Sequence, residues 1–122
     1  MAISRQLAER RGRSSENLAA LWLRLKGYRI LARRLKTQAG EIDLVATAPF
    51  GPVCFIEVKA RADARAAADS VLAGQQTRIA RAASLYLASR PHLSRRGSRF
   101  DIVAIAPRAL PVHHRDVWRA DI

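Results

Sequence analysis

A chain of 122 residues is sized for one domain, and its 49% apolar composition suits a packed core rather than a disordered tail. Its 22 Lys and Arg against 10 Asp and Glu give a formal net charge of +12, which disfavours compaction by self-repulsion and favours a polyanionic partner. One cysteine, Cys54, excludes an intrachain disulfide and a C-x-x-C metal knuckle.

Nineteen of the cations are Arg and three are Lys. A codon bias toward Arg and Ala accounts for Arg over Lys but not for the scarcity of acids. Arg also forks onto phosphate oxygens as Lys cannot. Nucleic acid is therefore the expected partner, ahead of a membrane surface. No run approaches the roughly 18 apolar residues of a membrane span. The basic start MAISRQLAERRGR has no apolar segment behind it, so a secretory signal is not expected and the cytoplasm is the expected compartment.

In chain order, residues 1–13 read as a basic, flexible segment and residues 14–122 as the domain. Ser14 or Ser15 offers an N-cap for a helix whose apolar stripe is Leu18, Leu21, Trp22 and Leu25, with Gly27 closing it. Glu16 then falls in the first turn, where the helix dipole favours a carboxylate. Residues 28–35 alternate apolar and basic and read as a strand, and residues 36–40 as a turn. Residues 41–47 and 53–59 are strands joined by the Pro- and Gly-rich loop 48–52, short enough for an antiparallel hairpin. An Ala-rich, charged stretch at 62–70 has no clear pattern. A helix over 75–89 follows, with Ile79, Ala82, Ala83, Tyr86 and Leu87 as its buried stripe. After a basic loop at 91–98, residues 100–106 form an almost wholly apolar strand, as in a sheet covered on both faces. Residues 112–118 are a last short strand. The order α-β-β-β-α-β(-β) predicts an α/β or α+β domain, a mixed sheet of four to five strands flanked by helices.

The chemistry lies in the hairpin. With a side-chain period of two, Val53, Phe55, Glu57 and Lys59 share one face, so an apolar strand ends on a carboxylate and an ammonium. On the preceding strand, Ile42 and Leu44 are expected on one face and Glu41, Asp43 and Val45 on the other. Pairing through the hairpin brings Asp43 beside Glu57, and two facing carboxylates repel unless a cation lies between them. A hard divalent ion suits that pair, because Mg²⁺ takes few carboxylates and keeps waters and phosphate as its other ligands. An isolated E-x-K is usually a solvated strand end. The adjoining G-E-I-D, an upstream helix glutamate and the basic chain raise it above that.

Gly40-Glu41-Ile42-Asp43-Leu44-Val45-Ala46, Phe55-Ile56-Glu57-Val58-Lys59-Ala60-Arg61 and Arg99-Phe100-Asp101-Ile102-Val103-Ala104-Ile105 together resemble the YraN-like uncharacterised protein family, in order from about Gly12 to Ile105. That family is similar to archaeal Holliday-junction resolvases and to the restriction-endonuclease-like PD-(D/E)xK fold. The resemblance implies Asp43 and Glu57 as metal ligands and Lys59 as catalytic lysine. It also implies Glu16 as an auxiliary acidic ligand and Gln75 or Gln76 as a motif residue opening the second helix. Ser15 stands where the family usually has Gly, Gln75 where it has Lys, and the Ala-rich stretch near Ala66 replaces a Phe-Gly pair.

Other residues read as structural. His113-His114 diverge on a strand and suit a solvated tail, His92 lies in a loop, and Cys54 faces away from Glu57 as a core thiol. Trp22 reads as core, and Trp118 as core or a dimer contact. The sequence therefore predicts a Mg²⁺- or Mn²⁺-dependent endonuclease on DNA, branched or structured DNA included. Its expected nucleic-acid contacts are Gln75, Gln76, Arg33, Arg34, Arg61 and Arg78. The alternative is a catalytically weak nucleic-acid-binding module. A single site per chain would cut both strands as a homodimer.

Overall fold

The computed structural model describes residues 2–61 and 73–120, the first ten of them as backbone only. Helix α1 spans Ala2–Leu25, strands β1 Arg29–Thr37, β2 Gly40–Thr47 and β3 Val53–Ala60 follow, and helix α2 spans Ala73–Ala88. A single turn, α3 at Pro91–Ser94, leads into β4 Ser98–Ile105 and β5 Val112–Trp118. The five strands form one sheet in sequence order, with β3 and β4 parallel and every other neighbour antiparallel. This is the expected mixed sheet flanked by helices, with the expected element order. No described helix is long and apolar enough to cross a membrane. The Ala-rich stretch 62–70 lies outside the described residues.

The sheet has two covered faces. On one, α2 lays Ile79, Ala82, Ala83, Tyr86 and Leu87 over Ile42, Val45, Val53, Phe55, Phe100 and Ile102. Trp118 closes this core, stacked on Phe100 with ring centroids 5.1 Å apart, so it is a core residue. On the other face, α1 covers Leu44, Ala46, Cys54, Ile56 and Val103.

Helix α1 departs from expectation twice. It begins at Ala2, so Ser14 and Ser15 are interior to it and Glu16 is not in a first turn. Ala, Leu, Gln, Glu and Arg upstream all favour helix, and only Gly12 weakens the run. Its packed stripe is Ala19, Ala20 and Leu23, while Leu18, Leu21 and Leu25 are exposed and Trp22 is half-buried. Small alanines let the helix approach the sheet closely, and that turns the larger apolar stripe outward. The expected closure holds. Gly27, at φ +90°, ends α1, with Tyr28 N donating to Leu23 O (3.0 Å) and Gly27 N to Arg24 O (3.0 Å).

Candidate active site

The acid pair sits where the sheet forks. The β2–β3 ladder runs from Thr47↔Val53 to Leu44↔Ile56 and ends there, although β3 stays paired with β4 as far as Ala60↔Ile105. Below Leu44, β2 pairs only with β1. At the fork the Asp43 carboxylate replaces a main-chain acceptor, and Val58 N donates to its Oδ2 at 2.8 Å. The backbone is irregular here. Arg34, between the pairs Arg33↔Leu44 and Leu35↔Ile42, has φ +52°. The expected faces of β2 are corrected accordingly. Ile42 joins Val45 under α2, while Leu44 joins Ala46 under α1, so the alternation slips at Asp43.

Glu57 follows Phe55 on the α2 face and is only 5% exposed. Burial first, and the adjacent Asp43 carboxyl second, push it up to about 9, outweighing the opposite pull of Lys59. Its Oε1 is buried with no hydrogen-bond partner among the described residues. Lys59, two residues on, is half-buried on the same face. Asp43, Glu57 and Lys59 therefore come together as expected.

A second cluster of charge adjoins them. Arg34 Nε donates to Glu16 Oε2 at 2.6 Å, and Glu41 and Asp43 also act on its guanidinium. Glu16 is in helical register with Ala19, Ala20 and Leu23, so the packed stripe of α1 aims it at β1. It reaches the acid pair through Arg34. Arg33 Nη2 likewise donates to Asn17 Oδ1. Two of the arginines expected on nucleic acid are thus tied to α1, though both stay exposed. Arg61 is exposed, its Nη1 on Ala60 O at 2.8 Å, and Arg78 is exposed on α2. Gln75 and Gln76 are half-buried in the first turn of α2, on the side of the sheet that carries Glu57.

The donor set fits a hard cation. Two carboxylates converge, one with an orphaned buried oxygen, and an ion between them would satisfy that oxygen and relieve the repulsion. No group of three or more His, Cys, Asp or Glu side chains assembles among the described residues. Such a site suits Mg²⁺ or Mn²⁺, which complete their shells with water and phosphate, and does not suit zinc, which takes three or four protein ligands.

A buried polar network on the α1 face was not legible from the sequence. Asp101, fully buried, accepts from Arg99 Nε (2.9 Å) and Nη2 (2.8 Å) and from Asp116 N (2.9 Å), and lies 2.7 Å from His113 Nε2. Lys26 Nζ is 2.7 Å from His113 Nδ1, and Arg99 Nη2 donates to the Tyr28 hydroxyl (2.7 Å). The His113 side chain is 2% exposed, so the solvated-tail reading fails for it. Burial holds His113 below its usual range, and its contact to Asp101 is therefore a hydrogen bond from a neutral ring. Only the carboxylate at i−12 and the lysine after α1 could have hinted at this, through pairing that a sequence does not display. Cys54 lies buried on this face and its thiol is pushed up to about 12 by burial, as a core thiol should be. His92 is exposed in α3.

Uncharacterised protein family UPF0102 matches residues 15–105. A UPF0102 protein of Paramagnetospirillum magneticum, amb4503, is 52% identical over 120 residues, covering 95% of this chain and 92% of its own length. One from Parvibaculum lavamentivorans is 51% identical, covering 92% of this chain and 84% of its own. Another, Atu0303 of Agrobacterium fabrum, is 51% identical and covers 93% of each chain.

Proposed function

For a chain that belongs to Uncharacterised protein family UPF0102, we propose a metal-dependent nuclease that hydrolyses phosphodiester bonds in DNA. The observation that carries this reading is the orphaned, buried Glu57 oxygen beside Asp43, at a sheet fork in a chain of net charge +12. The resemblance to Holliday-junction resolvases extends the proposal to branched DNA.

Asp43 and Glu57 would hold the ion, and Val58 N fixes the Asp43 carboxylate through Oδ2. When bound, Mg²⁺ or Mn²⁺ lowers the pKa of a water and neutralises charge on the scissile phosphate. Lys59, on the same face as Glu57, would position the attacking water and offset charge gathering on the phosphoryl oxygens. Arg33, Arg61 and Arg78 bind flanking phosphates from solvent. Each turnover adds one water across a P–O bond. A homodimer would carry two such sites for the two strands. A second reading, a binding module without turnover, is favoured by the convergence of only two carboxylates in the described cluster.

The test incubates supercoiled, linear, single-stranded and four-way-junction DNA with Mg²⁺, Mn²⁺ or EDTA. Asp43→Asn keeps an oxygen for Val58 N while losing the charge, so it separates ligand loss from fold damage. Asp43→Asn and Glu57→Gln should abolish metal-dependent cleavage and keep metal-free binding. Lys59→Ala should slow cleavage by roughly a hundredfold or more, and Lys59→Arg should not restore it, because a planar fork cannot replace a compact ammonium. Equal cleavage by the parent and all four variants would overturn the enzyme reading and leave the binding module.

A further inference from the structure

The loop at 48–52 presents a feature the acid pair does not use. Phe50 is fully exposed, at 107% of its reference area, and its backbone holds φ +53°, a conformation that a bulky side chain rarely adopts. The turn is nevertheless pinned. Ala48 N donates to Pro52 O (3.0 Å) and Gly51 N to Ala48 O (3.1 Å). From the turn that leads into the neighbouring strand β4, Arg96 Nε donates to Gly51 O (2.9 Å) and Nη2 to Ala48 O (3.1 Å). Gly51 admits no larger residue without a shift, since a Cβ there would stand 3.1 Å from that of Ala48. A rigid turn thus aims an aromatic ring at solvent, where nothing in the fold covers it among the described residues.

Its surroundings are cationic. The concavity beside Phe50 is walled by Pro49, Pro52, Arg29 and Arg96 and contains no acidic residue. From Arg29 the edge strand β1 carries exposed Arg33, Arg34 and Lys36 toward the fork, since Arg29 pairs with Thr47 and Lys36 with Glu41. Cations therefore recur along the edge between the ring and the acid pair, with Arg34 ion-paired to Glu16 and Lys36 opposite Glu41. Along β3, Val53 and Glu57 are roughly 13 Å apart at 3.3 Å per residue, about four steps of a stacked strand at 3.4 Å each.

We infer that Phe50 is a base-stacking anchor for nucleic acid, taking one unpaired base on its ring while Arg29 holds the neighbouring phosphate. This rests on the proposed action on DNA and adds a contact in the loop that opens β3, at the other end of the strand from Glu57 and Lys59. An aromatic face with cations around it fits a base and its phosphates, because every base has a π-face and each phosphate a charge. Like charges on two copies oppose self-association through the same patch.

The test measures binding in EDTA at about 50 mM salt, so cleavage plays no part. The probes are a single-stranded oligonucleotide, a blunt duplex and a bulged duplex. Phe50→Asn suits the left-handed turn and removes the ring. It should weaken binding to the single strand and the bulge about tenfold, and change blunt-duplex binding far less. Phe50→Trp should bind as the parent does, with its added fluorescence quenched by the oligonucleotide. Arg29→Ala should lower the salt slope by about one. Parent-like affinity of Phe50→Asn for all three probes would overturn the inference. So would a parent dimer that Phe50→Asn converts to a monomer, since the ring would then cover a second copy. If the parent binds no probe, this inference and the nuclease reading both fall. If Phe50 governs binding while metal-dependent cleavage is absent, only the nuclease reading falls.

Discussion

Glu57 is buried with no partner for its Oε1 among the described residues, and that has a thermodynamic signature independent of any reaction. Its folded pKa is raised to about 9, by burial first and Asp43 second, so the folded chain binds this proton more tightly than the unfolded one. Without metal, the contribution of Glu57 to stability should be fully present below the ordinary carboxyl range near 4 and be lost as pH rises toward about 9. Glu57→Gln should flatten that decline and raise the melting temperature at pH 8 in EDTA by a few degrees. Melting curves from pH 5 to 9, with EDTA and with Mg²⁺, check this, and an unchanged slope in the variant would contradict the buried-acid account. The nearness of Asp43 to Glu57 was readable from the short hairpin and that of Glu57 to Lys59 from alternation along β3, although alternation along β2 slips at Asp43. Burial of Glu57 was not readable, because it depends on where the β2–β3 ladder stops. Phe50 was equally hidden, since a lone aromatic in a Pro- and Gly-rich loop does not announce its backbone angle.

At the scale of elements, helix α2 was legible with its buried stripe, whereas α1 was legible in its existence and its closure at Gly27 but not in its start or its packed face. Ile79, Ala82, Ala83, Tyr86 and Leu87 are the sole strong apolar stripe of α2. In α1 two stripes compete, Leu18-Leu21-Trp22-Leu25 and Glu16-Ala19-Ala20-Leu23, and bulk favours the wrong one. The glutamate aligned with two alanines was the available signal, because α1 is anchored by the Glu16–Arg34 pair and by close packing. Its far end is anchored by Lys26 and Tyr28, which join β4 and β5 through Asp101 and His113. Burial pushes Asp101 up, but hydrogen bonds from His113, Arg99 and Asp116 N outweigh it and bring the carboxyl down to about 2. His113 is held below its usual range by burial, although Asp101 pulls the other way. Both groups bind protons less tightly folded than unfolded, so each contributes stability that is lost as pH falls. The His113 part should fade below about 6.5, and the Asp101 part between 3.8 and about 2. Asp101→Asn should cost roughly 3–5 kcal/mol, because Arg99 loses its buried partner. His113→Gln, able to accept from Lys26 and donate to Asp101, should flatten the loss between pH 7 and 5.5. Urea unfolding across that range measures both, and a parent curve flat from pH 7 to 5 would exclude the network as a source of acid sensitivity.

At the scale of the whole molecule, net charge and the order of elements along the chain were the most legible features, since both survive errors in individual boundaries. The charge also bears on the sheet's margins. Among the described residues strand β1 is an edge of the sheet, paired only with β2, and its exposed Arg29, Arg33, Arg34 and Lys36 stand along it. Like charges on an open edge keep copies from zipping together strand to strand. That protection lasts only while the cations remain uncompensated. A short polyanion added below charge equivalence should therefore turn a clear solution cloudy. Excess polyanion or about 0.5 M salt should clear it again, by recharging or screening the particles. Replacing Arg29 and Lys36 with Glu should remove the cloudiness, as light scattering across a titration would register. A strand edge of this charge would thus make the protein's colloidal state depend on how much polyanion surrounds it.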